Sequence, residues 1–176
     1  RGGERRLPSP DEIARTLLGV GMGHVEVDVN GSRARFTSPG VSVDLGGIAK
    51  GFALDLGKAS ARRAGAFAGL LDLGGNLLAF GEEARGDVGI QHPGSQNDIV
   101  GRVQIRDQSM ATSGGYERYV TIDGRRYGHI IDPRTGHPAD LIAGVTVVSA
   151  DGITADALST ACAVVGRYEC LQMIGK

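Results

Sequence analysis

The stretch AGLLDLGGNLLAFG, residues 68–81, sets how this chain is built. A strand runs into Asp72-Leu73-Gly74-Gly75, and the residues after the glycines read as a second strand, not a helix. The same Asp-Leu-Gly-Gly occurs earlier, in VSVDLGGIAKGFALDLGKASARRAG (41–65). There a strand over 41–45 passes through Gly46-Gly47 into a helix. One tetrapeptide therefore opens both a strand and a helix, which predicts a mixed architecture.

Beyond this pair, short strands are predicted at 87–91 and 99–105. Residues 109–132, SMATSGGYERYVTIDGRRYGHIID, read as a loop followed by a hairpin turning at Asp123-Gly124, with His129 on its second strand. LIAGVTVVS (141–149) reads as a buried strand, and ITADALSTACAVVG (153–166) as a helix with apolar residues at helical spacing. Upstream, LPSPDEIARTLLG (7–19) carries the marks of a helix: Ser9 as N-cap, Pro10 in the first turn, Glu12 completing a capping box and Gly19 as a stop. HVEVDVNGSRARFTS (24–38) alternates on both sides of Asn30-Gly31, a strong hairpin signal. The last residues, LQMIGK, fall within or just after a helix. The fold class is α+β, a largely antiparallel sheet with flanking helices.

Bulk composition narrows the function. A chain of 176 residues suits one domain with a real core, and a net charge of −1 argues against a protein built to coat nucleic acid. The basic clusters RGGERR and GRR (124–126) lack interleaved aromatics and read as solvated ends or turns. The 29 glycines exceed the roughly 7% of average usage and gather in GVGMG, DLGGIAKG, DLGGN and TSGG. Such clusters mark turns, or places where a backbone must approach another group closely. GVGMG follows a helix and leads into a strand, the reverse of a dinucleotide fingerprint, and is set aside. Cys162 and Cys170 lack CxxC or metal spacing and read as two reduced or buried thiols.

Three features could carry chemistry. Gly46 and Gly47 leave the backbone open at a helix start, where phosphate is favoured, with Lys50 close behind. Asp156 and Thr160 are four apart on a helix and share a face; a carboxylate and a hydroxyl are hard oxygen donors that suit Mg²⁺. The competing reading leaves Asp156 complementing the helix dipole and Thr160 bonding back to its own helix. His129 is either a structural strand histidine or a base for a hydroxyl nucleophile. On a strand it faces the same way as Ile131 and away from Asp132, so Asp132 would brace the DPRTG turn and not orient the imidazole.

DLGGIAKG, LLDLGGN, MATSGGY, HIIDPRTGHP and TADALSTA stand in the order and approximate spacing of the ApbE-type FAD:protein FMN transferases, and the chain resembles that family from about Val41 to Gly166. The resemblance implies an ApbE-like fold and one catalytic domain over 1–176, with core motifs at 41–166 and without the N-terminal region and C-terminal end of full-length members. It implies Mg²⁺-dependent transfer of FMN from FAD to a threonine or serine hydroxyl of a target flavoprotein, with release of AMP. The alternatives are a Mg²⁺-dependent FAD pyrophosphatase giving FMN and AMP, and a non-catalytic FAD-binding module. Residue by residue, it implies His129 as catalytic, Asp44, Lys50 and the backbone near Ile130 as FAD contacts, and Gly47, Asp156 and Thr160 as metal ligands. By the same resemblance the protein would act on the periplasmic or cell-envelope side of a bacterium. Any membrane attachment would run through a lipoprotein anchor outside this sequence.

Overall fold

The structure, a computed structural model, describes residues 6–95, 97–116 and 118–175. Most of the RGGERR cluster lies outside them. In chain order the elements are α1 (Pro10–Leu17), the hairpin β1 (Val25–Asp28) and β2 (Arg33–Phe36), and α2 (Ala49–Arg63). There follow β3 (Gly69–Leu73), β4 (Asn76–Phe80), β5 (Arg85–Gln91), β6 (Ile99–Arg106) and β7 (Ser109–Ser113). The chain continues with β8 (Tyr119–Ile122), β9 (Arg125–Gly128), β10 (Val145–Ser149), α3 (Gly152–Val165) and α4 (Arg167–Ile174).

A four-stranded antiparallel sheet of order β10-β7-β4-β3 forms the centre, and β1-β2, β5-β6 and β8-β9 are separate antiparallel pairs. The α+β expectation holds. Alternation along β4 builds both sides of the core. Leu78 and Phe80 pack against Leu54 of α2, while Ala79 meets Ile105 and Met110 on the other face, beside the β5-β6 hairpin. Each fully buried Leu or Phe contributes roughly 1.5–3 kcal/mol, so β4 is the strand around which the two layers condense. Helix α3 packs on β7 and β10, and α2 on β3 and β4, so the two helices cover one face side by side.

They approach closely at Gly51 and Gly152. A Cβ at Gly51 would overlap the Gly152 carbonyl and lie 2.8 Å from Asp156 Cβ, so only glycine admits this crossing. Asp55 of α2 accepts the Gly152 and Ile153 amides (2.7 and 2.9 Å), and the N-cap Asp151 accepts Thr154 N–H at 2.8 Å. Together they satisfy the start of α3. Helix α1 has the predicted capping box and proline, and Glu12 also holds Arg6.

Several local expectations need correction. Residues 41–45 form no strand, and Val43 and Leu45 are exposed. Their alternation finds no neighbouring edge, because the Leu45 carbonyl accepts the Ile48 and Ala49 amides and turns the chain into α2. The segment expected as a loop contains β7, which lies between β4 and β10. Its small polar side chains disguise it, and they are satisfied by neighbours: Ser109 donates to the Leu77 carbonyl, and Thr112 meets Thr146. In LIAGVTVVS only 145–149 are strand, at the sheet edge. The Asn30-Gly31 hairpin forms with Asp28 opposite Arg33, leaving a four-residue connection in place of a two-residue turn. Cys162 and Cys170 are joined as a disulfide. Gly166 (φ 86°) breaks α3 from α4 and folds the second helix back, bringing the two Cα atoms to 4.8 Å.

Candidate active site

The first Asp-Leu-Gly-Gly turn leads directly into the site. Asp44 Oδ1 accepts the Gly46 N–H at 2.6 Å, which closes the turn, and its side chain is otherwise solvent-facing. Gly47 then passes over Thr160: a Cβ there would lie 3.2 Å from Thr160 Cγ2 and 3.4 Å from Oγ1. Four residues on, Gly51 N–H donates to Asp156 Oδ2 at 2.9 Å. The structure thus brings Gly47, Asp156 and Thr160 together, although the glycine lies more than a hundred positions from the other two. Lys50, in the first turn of α2, donates to Asn76 Oδ1 at 3.0 Å, so the second Asp-Leu-Gly-Gly turn meets the first through this bond. Asn76 is 1% exposed, and its Nδ2 has no hydrogen-bond partner among the described residues.

Asp156 is 3% exposed and has no cationic partner among the described residues. A buried carboxylate ordinarily demands compensation. Here one oxygen takes a backbone amide and the other takes no hydrogen bond among the described residues. Thr160 does not bond back to its helix; its Oγ1 meets Ser113 Oγ at 3.1 Å. No group of three or more His, Cys, Asp or Glu side chains gathers among the described residues, so a zinc-type site is not built here. One carboxylate, one hydroxyl and a glycine turn with accessible backbone are hard, sparse donors that fit Mg²⁺, which keeps part of its shell for phosphate and water.

His129 stands just past the end of β9, not on the strand, and is exposed. The alternation expected of it survives in burial: His129 and Ile131 face outward, Ile130 and Asp132 inward. Its backbone N–H and its Nδ1 both point to the Arg118 carbonyl, at 3.1 and 3.0 Å. A carbonyl can only accept, so Nδ1 carries the proton, and Nε2 of the neutral ring is left with its lone pair. The Ile130 carbonyl accepts Ala139 N–H at 2.9 Å, while the Ile130 N–H has no partner among the described residues. Asp132 does brace the turn: it accepts Arg134 N–H at 2.8 Å and the guanidinium at 2.9–3.2 Å. The Arg134 side chain, then its backbone N–H, holds that carboxyl below its usual range. Arg134 also reaches Glu169 of α4 at 3.4 Å, tying the turn to the disulfide-closed corner.

The glycines after β7 connect the two halves of the site. A Cβ at Gly128 would sit 3.1 Å from Gly115 Cα, so the Gly114-Gly115 loop runs directly under the residue before His129. Ser113 and Gly115 span at most about 7 Å of chain. Beside this junction opens a cleft of about 1300 Å³, lined in part by Gly115, Tyr116, Tyr127, Gly128, Ile131 and Arg125. Neither His129 nor the Gly47, Asp156 and Thr160 cluster lines it. Sequence reasoning missed Ser113, Asn76 and Arg118 as parts of the site. The first two lie in motifs already singled out, whereas Arg118 acts through its carbonyl, which no residue type signals.

Over 162 residues the chain is 36% identical to the FAD:protein FMN transferase of Rhodobacter capsulatus, covering 90% of this chain and 31% of that one. It is 31% identical to that of Haemophilus influenzae (97% and 52%). In three dimensions it matches the ApbE protein of Thermotoga maritima at TM-score 0.88 and 36% identity, over 97% of this chain and 57% of that one. The flavinyl transferase ApbE of Pseudomonas stutzeri, in its apo form, matches at 0.78 and 31% (96% and 52%). The chain spans about half the length, or less, of these relatives. The ApbE family model matches residues 1–176, and the chain belongs to the ApbE family.

Proposed function

We propose that the protein transfers the FMN half of FAD to a threonine or serine hydroxyl of a target flavoprotein, with Mg²⁺ and with release of AMP. The observation that carries this reading is His129: an exposed imidazole whose Nδ1 is committed to the Arg118 carbonyl, so that Nε2 is the basic atom. Such an atom suits a hydroxyl acceptor at neutral pH. His129 Nε2 takes the acceptor's proton as its oxygen attacks the FMN phosphorus. The bond from that phosphorus to the bridging oxygen breaks, and AMP leaves with the electron pair.

Asp156, Thr160 and the Gly47 backbone would hold Mg²⁺, which supplies charge neutralisation on the diphosphate. Lys50 would add a fixed cation, kept in place by Asn76. Asp44 would act mainly by shaping the glycine turn, and the Ile130 amide would contact the ligand next to His129. We propose that residues 1–176 form a single catalytic domain of the protein, with its core motifs at 41–166. We place that protein on the outer side of a bacterial membrane, a setting in which the Cys162–Cys170 disulfide would persist. Among the described residues no helix is long and apolar enough to cross a membrane.

The test is incubation with FAD, Mg²⁺ and an acceptor flavoprotein, followed by a denaturing gel viewed for covalent flavin fluorescence. Label should appear, vanish with EDTA, and fall by at least about a hundredfold in His129→Ala. AMP with free FMN and no label would replace the transferase with a pyrophosphatase. Unchanged FAD would leave only a binding module.

A further inference from the structure

We propose that Ser113 is a positioning residue that fixes the polarity of the Thr160 hydroxyl, making it a pure acceptor toward the Gly47 turn. The inference rests on the Mg²⁺ reading above and deepens it. Three hydroxyls form a chain at the junction of β7 and α3. Ser159 Oγ donates to the Asp156 backbone carbonyl at 2.9 Å, Ser113 Oγ meets Ser159 Oγ at 2.8 Å, and Ser113 Oγ meets Thr160 Oγ1 at 3.1 Å. Ser159 is fully buried, so no bulk water relieves it.

Counting protons then leaves one arrangement. A carbonyl only accepts, and each hydroxyl has a single hydrogen. Ser159 commits its hydrogen to the Asp156 carbonyl, so Ser113 must donate to Ser159. The Ser113 hydrogen is then taken, so Thr160 must donate to Ser113. The Thr160 hydrogen is committed to β7, and Oγ1 has only lone pairs to offer where Gly47 crosses it. A cation needs that state, because a hydroxyl with a free hydrogen can turn it inward or bond back to the carbonyl four residues earlier, which is that of Asp156. The relay thus anchors the direction of one ligand on the backbone of the residue that supplies another. Outer-shell partners of this kind typically govern metal affinity 10- to 100-fold.

The experiment titrates Mg²⁺ calorimetrically into the intact, FAD-loaded protein in a His129→Ala background, where turnover does not interfere. Ser113→Ala should weaken Mg²⁺ binding by roughly tenfold or more, and Ser113→Thr, which keeps the hydroxyl, should restore most of it. In a Thr160→Val background, Ser113→Ala should add nothing further, because the group it acts through is gone. Ser159→Ala should give a smaller loss by freeing Ser113 to donate the other way; this variant carries the test if Ser113→Ala melts early in EDTA. Mg²⁺ binding unchanged in Ser113→Ala, or additive with Thr160→Val, would overturn the relay while leaving the metal reading intact. A parent protein that takes up no Mg²⁺ would overturn the metal reading, and the relay with it.

Discussion

The two Asp-Leu-Gly-Gly turns share four residues and do opposite things. At 72–75, Gly74 and Gly75 both adopt left-handed backbone (φ 60° and 88°), the geometry of a tight hairpin, and Asp72 accepts the Gly75 N–H at 3.0 Å. At 44–47 neither glycine has positive φ; Asp44 accepts the Gly46 N–H, and the chain enters a helix. The tetrapeptide supplies the permission to turn, and the residues C-terminal to it select which turn forms. Ile-Ala-Lys-Gly continues as a helix because Gly51 can lie against α3. Asn-Leu-Leu-Ala-Phe continues as a strand because alternate side chains meet two cores. The helix turn carries Gly47 over Thr160, and the strand turn contributes Asn76 to hold Lys50.

The largest effect should come from Gly51→Ala, which drives a methyl into the Gly152 backbone from which neither helix can retreat. A loss of about 3 kcal/mol is expected by denaturant unfolding; a near-neutral result would mean that the crossing does not decide between helix and strand. Gly75→Ala should cost about 1–2 kcal/mol for forcing an L-residue into left-handed backbone. Gly46→Ala, which needs no such conformation and meets only the Asp44 carboxylate, should cost a few tenths of that. Equal losses at the two positions would erase the distinction between the turns.

The smallest effect lies away from both turns. Arg6, followed by the Ser9 amide, pushes Glu12 down to about 2. A depressed carboxyl contributes stability above its unfolded value near 4.5, and that contribution fades as pH falls toward 2. An NMR titration should show the Glu12 carboxyl turning over near that lower value, with fraying confined to α1. Loss of the sheet along with it would show that the helix is not the independent local unit its capping box describes.

What could be read in the sequence was local. The α1 capping box, the Asp123-Gly124 turn (φ 49° and 76°) and the α3 helix each depend on residues within a few positions of one another. The five motifs in order placed the chain in its family for the same reason, since a motif is a local pattern. The rest depended on partners distant in sequence. Residues 41–45 alternate like a strand and find no edge, whereas Ser109–Ser113 look like a loop and occupy the middle of the sheet. Gly51 and Asp156, Ser113 and Thr160, and His129 and Arg118 meet across separations of 105, 47 and 11 residues. Propensity and periodicity register only a residue's neighbours. Read alone, the chain establishes which elements can form and which side chains carry hard oxygen donors or an imidazole. Packing in three dimensions settles which of them meet, which hydrogen each hydroxyl gives up and which nitrogen of His129 is left basic, because those depend on the direction of a distant carbonyl.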